Sequence, residues 1–358
     1  YIATLDSLVI LGGGNPLDNT MAISNDGMLV AAINSRIFMS DVNQELTDLY
    51  KNSLVVSFED FASELNRTDL FDPKVIYDPE EDRFILAFLS GRTPGYTGII
   101  VGFSQTSDPM GAWNVYMLEG NPLNDNTWTD FPAMTISEDE LFITGNLIIN
   151  GVSWQEGFNG TVVWQVDKFS GYNDEPTLTT QLWSDLKHDG SFVRNFFPIN
   201  GSKGTQASNV YFLSNRNFAL ESDSIYLIEI TGNISSSPDL NITLLSTDVP
   251  YGFPPNGRQQ DDDPNDETDG LQTNDARVLG GFIHNNEIQF VGNTVNPATG
   301  LAAVYHGTIK DVSGNPMVTG HIIGHGIRDY GYPNIAYTGY EDDHIQSIIA
   351  FNHTSPLD

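Results

Sequence analysis

A phrase that recurs along the chain constrains its fold more than any other feature. Each copy has an Asp, Asn or Pro start, an apolar stretch, a polar turn and a second apolar stretch. Short apolar stretches bounded by turn residues predict β-hairpins. Repeats spaced by roughly 50 to 80 residues predict one small β-sheet per copy, as in propellers and other arrays. The copies begin near residues 21, 73, 132, 198, 276 and 333.

The composition fits an all-β chain. The 33 Gly and 18 Pro among 358 residues suit many turns, and only residues 58–65 suggest a helix, of about two turns. We therefore predict a single domain over residues 1–358, a β-propeller of four-stranded antiparallel blades. Six copies predict six blades, although five or seven fit as well. The last copy has too few strands for a blade, and residues 7–11 or a segment beyond residue 358 would supply the missing ones.

The charge balance excludes one class of partner. The chain has 47 acidic and 15 basic residues, a formal net charge of −32. Binding to nucleic acids or anionic membranes needs clustered Lys and Arg, so we expect neither. Salt screens the self-repulsion of such a surface, which favours an extracellular or cell-surface setting.

Cysteine is absent, so disulfides, thiolate metal sites and a cysteine nucleophile are excluded. No run of 18 apolar residues suggests a membrane span. The start at Tyr1 is compatible with a processed N-terminus, and anchoring or sorting segments beyond either end are compatible with the sequence. Six Asn-x-Ser/Thr sequons are candidate glycosylation sites, although several would arise by chance. They are Asn66, Asn159, Asn200, Asn233, Asn241 and Asn352.

The densest acidic segment suggests a metal. Six carboxylates lie within residues 261–269, and hard oxygen ligands at close spacing suit structural Ca²⁺. The order does not match an EF-hand loop, and a solvated acidic loop explains the same composition. The candidate ligands are Asp261, Asp262, Asp263, Asp266 and Asp269.

Several phrases resemble those of secreted or cell-surface β-propeller proteins of environmental bacteria and archaea. The carriers include residues 72–79 (Asp-Pro-Lys-Val-Ile-Tyr-Asp-Pro), 130–132 (Asp-Phe-Pro), 274–277 and 332–336. The resemblance covers nearly the whole chain and implies the propeller fold, but no single activity unites such proteins. Residues 107–113 also resemble the Asp-box turn of sialidase-type propellers, with Asp108 five residues before Trp113. That turn is expected to be structural.

Catalytic motifs are weak. A sialidase would need three convergent arginines, and Arg36, Arg83 and Arg277 are the candidates, although we favour a structural bridging role. Acidic residues are so abundant that some pair will lie at a separation suited to glycoside cleavage by chance. His321 and His325 lie in a strand-like segment, where positions four apart are too distant for one metal. We name no catalytic residue.

Aromatic side chains in apparent loops offer a stacking surface for sugars or peptides, although large aromatics are more often core residues. The candidates for ligand binding are Trp128, Tyr251 and Tyr330.

The sequence therefore favours a non-catalytic binding or structural module for an extracellular protein or polysaccharide partner. Two alternatives remain open. One is an extracellular glycan hydrolase, sialidase-like or other, that uses carboxylates at the mouth of the propeller channel. The other is a self-assembling unit of a surface layer or filament.

Overall fold

The structure, a computed structural model, describes residues 18–44, 52–207, 209–260, 262–263, 270–340 and 345–357. Backbone contacts divide the chain into two compact units. Unit 1 comprises residues 1–186 with 233–236, and unit 2 comprises residues 187–232 with 237–358. The single domain that the sequence suggested stays a prediction.

The described residues of unit 1 form three four-stranded antiparallel sheets and two short helices. The first sheet is β1 (Thr20–Ile23), β2 (Met28–Ile33), β3 (Arg36–Asp41) and β4 (Leu54–Ser57). The second is β5 (Leu70–Asp78), β6 (Arg83–Ser90), β7 (Gly98–Ser104) and β8 (Trp113–Glu119). The third is β9 (Thr127–Ile136), β10 (Glu140–Ile149), β11 (Phe158–Asp167) and β12 (Thr180–Trp183). The helices are α1 (Phe58–Phe61) and α2 (Lys168–Tyr172).

The first strands of unit 2 are β13 (Lys187–His188), β14 (Ser191–Phe192), β15 (Phe197–Pro198), β16 (Asn200–Gly201), β17 (Asn209–Asn215), β18 (Ser222–Thr231) and β19 (Asp239–Tyr251). They are followed by β20 (Val278–His284), β21 (Glu287–Val295), β22 (Ala302–Lys310), β23 (Met317–Ile323), β24 (Asp329–Tyr337) and β25 (Ser347–Thr354). Nine of these strands form one sheet in the order β15-β17-β18-β19-β23-β22-β21-β20-β16, and β13-β14 and β24-β25 form two separate pairs.

The all-β prediction is confirmed, and the sheets are mostly antiparallel. Five of the six predicted repeats are antiparallel hairpins, namely β1-β2, β5-β6, β9-β10, β20-β21 and β24-β25. The remaining repeat, which begins near residue 198, starts with β15, and this strand pairs with β17. The expected helical segment forms α1 followed by a 3₁₀ turn over Ser63–Leu65. The number of blades stays a prediction.

Each repeat has a left-handed residue near its first strand, either up to four residues before that strand or within its first five residues. Aspartate and asparagine adopt positive φ at small cost, but aromatic residues there are strained. Three of the six precede proline, and in the hairpins of β5, β9 and β24 the register shifts beside them. The kink re-aims the neighbouring side chains. The residues are Asp18 (φ 45°), Asp72 (53°), Phe131 (56°), Asn195 (53°), Asn274 (67°) and Tyr332 (51°).

A buried ion pair joins the second and third sheets of unit 1. Lys168 Nζ lies 2.8 Å from Asp78 Oδ2, and both side chains are fully buried. Tyr172 donates its hydroxyl hydrogen to the same carboxylate at 2.8 Å, and Lys168 also donates to the Ser137 carbonyl at 3.2 Å. Removing one member of such a pair leaves an uncompensated buried charge, so the pair fixes α2 against the end of β5.

We therefore expect Lys168→Met to destabilise unit 1 by about 3–5 kcal/mol. All five tryptophans lie in unit 1, so urea denaturation followed by tryptophan fluorescence reports on this unit. Glu138→Gln, which removes an exposed charge of the same unit, is the control and should change stability by less than about 0.5 kcal/mol. Equal effects of the two variants would contradict the assigned role of the pair.

Candidate functional site

The first strands of the three sheets of unit 1 lie side by side, because β5 contacts both β1 and β9. Each has an aspartate at or next to its left-handed residue. Asp18 lies just before β1, Asp72 is in β5 and Asp130 is in β9, and all three side chains are half-buried. We name these three residues the carboxylate cluster.

An asparagine holds two members of the cluster in place. The Asp72 backbone N–H donates to Asn34 Oδ1 at 2.7 Å, and Asn34 Nδ2 donates to the Asp18 carboxylate. Asn34 directly follows β2, so one side chain connects the first repeat to the kink of the second. This bond fixes the left-handed backbone at Asp72 and therefore the direction of its side chain.

The cluster changes the proton affinity of Asp72. Burial, followed by the negative charges of Asp130 and Asp18, raises the pKa of Asp72 from 3.8 to about 7. Lys74 and Arg92 act in the opposite direction but do not cancel the effect. Asp72 is therefore partly protonated near neutral pH, which a carboxyl group needs in order to act as a general acid.

Two cations border the cluster. Lys74 follows Asp72 by two residues, and burial lowers its pKa although Asp72 and Asp18 oppose this. Arg92 is exposed, forms an ion pair with Asp69, and places its guanidinium carbon 3.6 Å from the centre of the Phe71 ring. The two cations limit the repulsion among three carboxylates without neutralising Asp72.

Trp128 lies beside the cluster. It is two residues before Asp130 on β9, so the two side chains share a face of the strand. Its ring meets Phe71 edge to face, with the ring centres 6.3 Å apart, and it is half-buried. The structure therefore brings this predicted ligand-binding residue to the carboxylates. The sequence analysis had treated Asp72 and Asp130 only as beginnings of repeats and had not named Asp18.

The other two aromatic candidates lie elsewhere. Tyr251 ends β19 and is buried in the core of unit 2, not in a loop, and its hydroxyl accepts a hydrogen bond from the Arg216 N–H at 2.8 Å. Tyr330 is half-buried on β24 and packs on Phe351, with the ring centres 4.6 Å apart. Neither placement resembles an open stacking platform.

Of the proposed calcium ligands, Asp261, Asp266 and Asp269 lie outside the described residues. Asp262 accepts a hydrogen bond from the Gln259 N–H, and Asp263 is exposed. Within the described part of the chain, no group of three or more His, Cys, Asp or Glu side chains is arranged to hold a metal. Calcium binding by this segment stays a prediction.

The sequons differ in exposure. Asn66, Asn200, Asn241 and Asn352 are exposed, whereas Asn159 and Asn233 are half-buried. Ser235 to Ser237, between two of the sequons, are exposed as expected. Glycosylation stays a prediction.

The arginine and Asp-box candidates have local partners. Arg83 donates to the Ser104 carbonyl at 3.1 Å, and Arg277 is paired with Asp275. Asp108 accepts from the Met110 N–H at 2.9 Å, and Trp113 Nε1 donates to the Pro109 carbonyl at 2.8 Å. These contacts are local: Arg83 bonds within its own sheet, Arg277 pairs with a residue two positions away, and Arg36 begins β3. The bridging role of the arginines and the Asp box stay predictions.

Comparison with known proteins found no matching family model and no matching curated protein. Among solved structures, the polysaccharide lyase Uly1 is 11% identical with a TM-score of 0.44, and the match covers 82% of this chain and 58% of that one. An exo-1,5-alpha-L-arabinanase from a bovine ruminal metagenomic library is 13% identical with a TM-score of 0.34, over 85% and 96% of the chains. A subtype N10 neuraminidase-like protein of A/little yellow-shouldered bat/Guatemala/060/2010 is 10% identical with a TM-score of 0.45, over 90% and 87%.

These neighbours correct the functional prediction. They include a polysaccharide lyase and arabinanases, which contradicts the expectation of a non-catalytic module and favours the alternative of a glycan-processing enzyme. This chain spans 58% of the length of the lyase. With TM-scores below 0.5, these similarities assign no residue role, substrate or mechanism to this chain.

The pKa of Asp72 provides a direct test of the cluster. We expect a carboxyl-carbon NMR titration to give a value of about 7 in the native protein. Asp130→Asn removes a negative charge and should lower the pKa of Asp72, whereas Lys74→Met removes a positive charge and should raise it. A wild-type value near 4, or shifts in the reverse directions, would contradict this geometry.

Proposed function

We propose that the protein is a glycan-processing enzyme and that the carboxylate cluster is its catalytic centre. The observation that carries the proposal is the half-buried Asp72, whose pKa of about 7 results from burial and from the charges of Asp130 and Asp18. Carboxyl pairs whose environments separate their proton affinities are the usual means of acid–base chemistry on glycosidic bonds.

Within this proposal Asp72 is the general acid. Protonated Asp72 donates its proton to the oxygen that leaves as the glycosidic bond breaks. Asp130 carries the complementary negative charge and acts as base or nucleophile, and Asp18 keeps the proton on Asp72. Trp128 offers its ring face to the apolar face of a sugar unit.

An extracellular location is part of the proposal, because polymeric glycans are met outside the cell. The helices in the described part of the chain are too short to cross a bilayer. The propeller arrangement, with six blades as the number of repeats suggests, also belongs to the proposal, as does a polysaccharide partner.

The proposal is tested with a panel of neutral and acidic polysaccharides. New reducing ends report hydrolysis, and ultraviolet absorbance of unsaturated products distinguishes a lyase. We expect Asp72→Asn to lower turnover of the active substrate by about 10²- to 10⁴-fold. Glu59→Gln, at an exposed acid of α1, is the matched control and should retain full activity. Full activity of Asp72→Asn, or no product from any polymer, would contradict the proposal.

The Asp72→Asn variant should lose activity but gain stability at high pH. The pKa of Asp72 is higher in the folded protein than its ordinary value of 3.8, so the folded state holds this proton more tightly. The stabilisation is complete below about pH 4 and is lost as the pH rises through 7. At pH 8 Asp72→Asn should therefore be more stable than wild type by at least about 1 kcal/mol, with little difference at pH 4.

Urea denaturation at the two pH values, followed by tryptophan fluorescence, measures this difference. A variant that is less stable at both values would show that the ionised Asp72 stabilises the fold, contrary to the account.

A further inference from the structure

A second polar cluster lies in unit 2, where β17 ends. Asn215 and Asn217 are both buried. Asn215 Nδ2 donates to the Ala276 carbonyl at 3.0 Å, and the Ala276 N–H donates to the Asn217 carbonyl at 3.0 Å. This segment therefore holds Ala276 from both sides and fixes the residues on either side of it, Asp275 and Arg277.

Asp275 and Arg277 form a buried bidentate pair. Arg277 Nε lies 2.7 Å from Asp275 Oδ1, and Arg277 Nη2 lies 2.8 Å from Oδ2. Asp275 is 0% and Arg277 5% exposed. Both carboxylate oxygens of Asp275 are thus committed to one guanidinium, and the pair is close to neutral.

Arg194 adds a second cation beside this pair. It is half-buried, and its carbonyl accepts the Ser214 hydroxyl. Burial, then the positive charge of Arg277, lowers the pKa of Arg194 to about 10, although Asp275 opposes this. Even at that value Arg194 is charged at neutral pH, so two guanidinium groups lie near one carboxylate. The location is locally positive on a chain of net charge −32.

Exposed rings border Arg194. Its guanidinium carbon lies 5.0 Å from the centre of the Phe218 ring, and the centres of Phe218 and Phe253 are 6.2 Å apart. Phe218 is 42% and Phe253 38% exposed, and the Phe253 N–H donates to the Ala219 carbonyl at 2.8 Å. Two large rings held together at the surface beside a cation suggest a binding surface.

The amide of Asn217 adds a second observation that points to a ligand. Its Nδ2 and Oδ1 are buried and have no hydrogen-bond partner among the described residues. Leaving buried polar atoms unpaired is costly, and a hydroxyl group can satisfy an amide because it both donates and accepts. Asn217 directly precedes Phe218 in the chain, so the unpaired amide belongs to the same segment as the exposed ring.

We propose that Arg194, Asn217, Phe218 and Phe253 form a binding site for an acidic sugar, a uronic acid unit of a polysaccharide. The guanidinium of Arg194 binds the carboxylate, the amide of Asn217 binds a hydroxyl, and the rings stack on the apolar face of the sugar. The site goes beyond the proposed catalytic centre, because it lies in the other unit and needs no turnover.

The test measures binding of a galacturonic acid tetramer and of its methyl ester to the whole chain by calorimetry. We expect the acid to bind at least tenfold more tightly than the ester. Arg194→Gln should weaken binding of the acid at least tenfold, and Phe218→Ala should weaken binding of both ligands. Arg216→Gln, which removes an exposed arginine of the same segment, is the matched control and should bind like wild type.

Asp72→Asn separates this proposal from the previous one, because it should lose turnover and keep binding. Equal affinity for acid and ester, equal binding by Arg194→Gln and wild type, or no binding of the acid would each overturn the acidic-sugar site. Circular dichroism of each variant must match wild type, and Arg194→Lys, which keeps the charge, should recover part of the affinity.

Discussion

The left-handed residue at the beginning of each repeat is the constraint on which the candidate site depends. In β5 it is Asp72 itself, and the residue after it is a proline that cannot donate to the sheet. The register shift there leaves Asp72 and Pro73 without a partner residue on β6, and the side chain of Asn34, in the preceding repeat, accepts the Asp72 N–H. Unit 2 repeats this device, because Asn293 accepts the Tyr332 N–H at 2.9 Å.

This arrangement explains why carboxylates that are far apart in the sequence lie near one another in the fold. In unit 1 the first strands of neighbouring sheets contact one another, and each has an aspartate at or next to its left-handed residue. Burial, and after it the negative charges of Asp130 and Asp18, raises the pKa of Asp72, so the cost of holding these acids together in a partly buried place is visible there. A fold that did not fix the backbone there would relax by turning the carboxylates apart. Functional sites commonly keep such strain because the surrounding structure imposes it.

The sequence was enough to predict the hairpins but not the candidate site. Turn residues around apolar stretches specify β5-β6 and β9-β10 locally, and the Asp108 turn likewise depends on neighbours in the chain. The meeting of Asp72 and Asp130 depends on the packing of whole sheets, which no local pattern encodes. Among 47 acidic residues these two had no distinguishing signal except their place at the start of a repeat.

The errors have the same origin. Tyr251 seemed to be a loop residue because proline and glycine flank it, yet β19 runs on for 13 residues and carries it into the core. The non-catalytic interpretation followed from the absence of a recognisable catalytic motif. General acids and bases need no sequence motif, since they are defined by distance, burial and charge, which only the folded chain reveals.

Whether Asp72 is the general acid is tested most directly by how the turnover of Asp72→Ala depends on the leaving group of the substrate. Its turnover should be compared with wild type on the active polysaccharide and on a dinitrophenyl glycoside of the same sugar. We expect a loss of about 10²-fold or more on the polysaccharide and a much smaller loss on the aryl glycoside, whose leaving group departs without a proton. Equal losses on both substrates would contradict the assignment of Asp72 as the general acid.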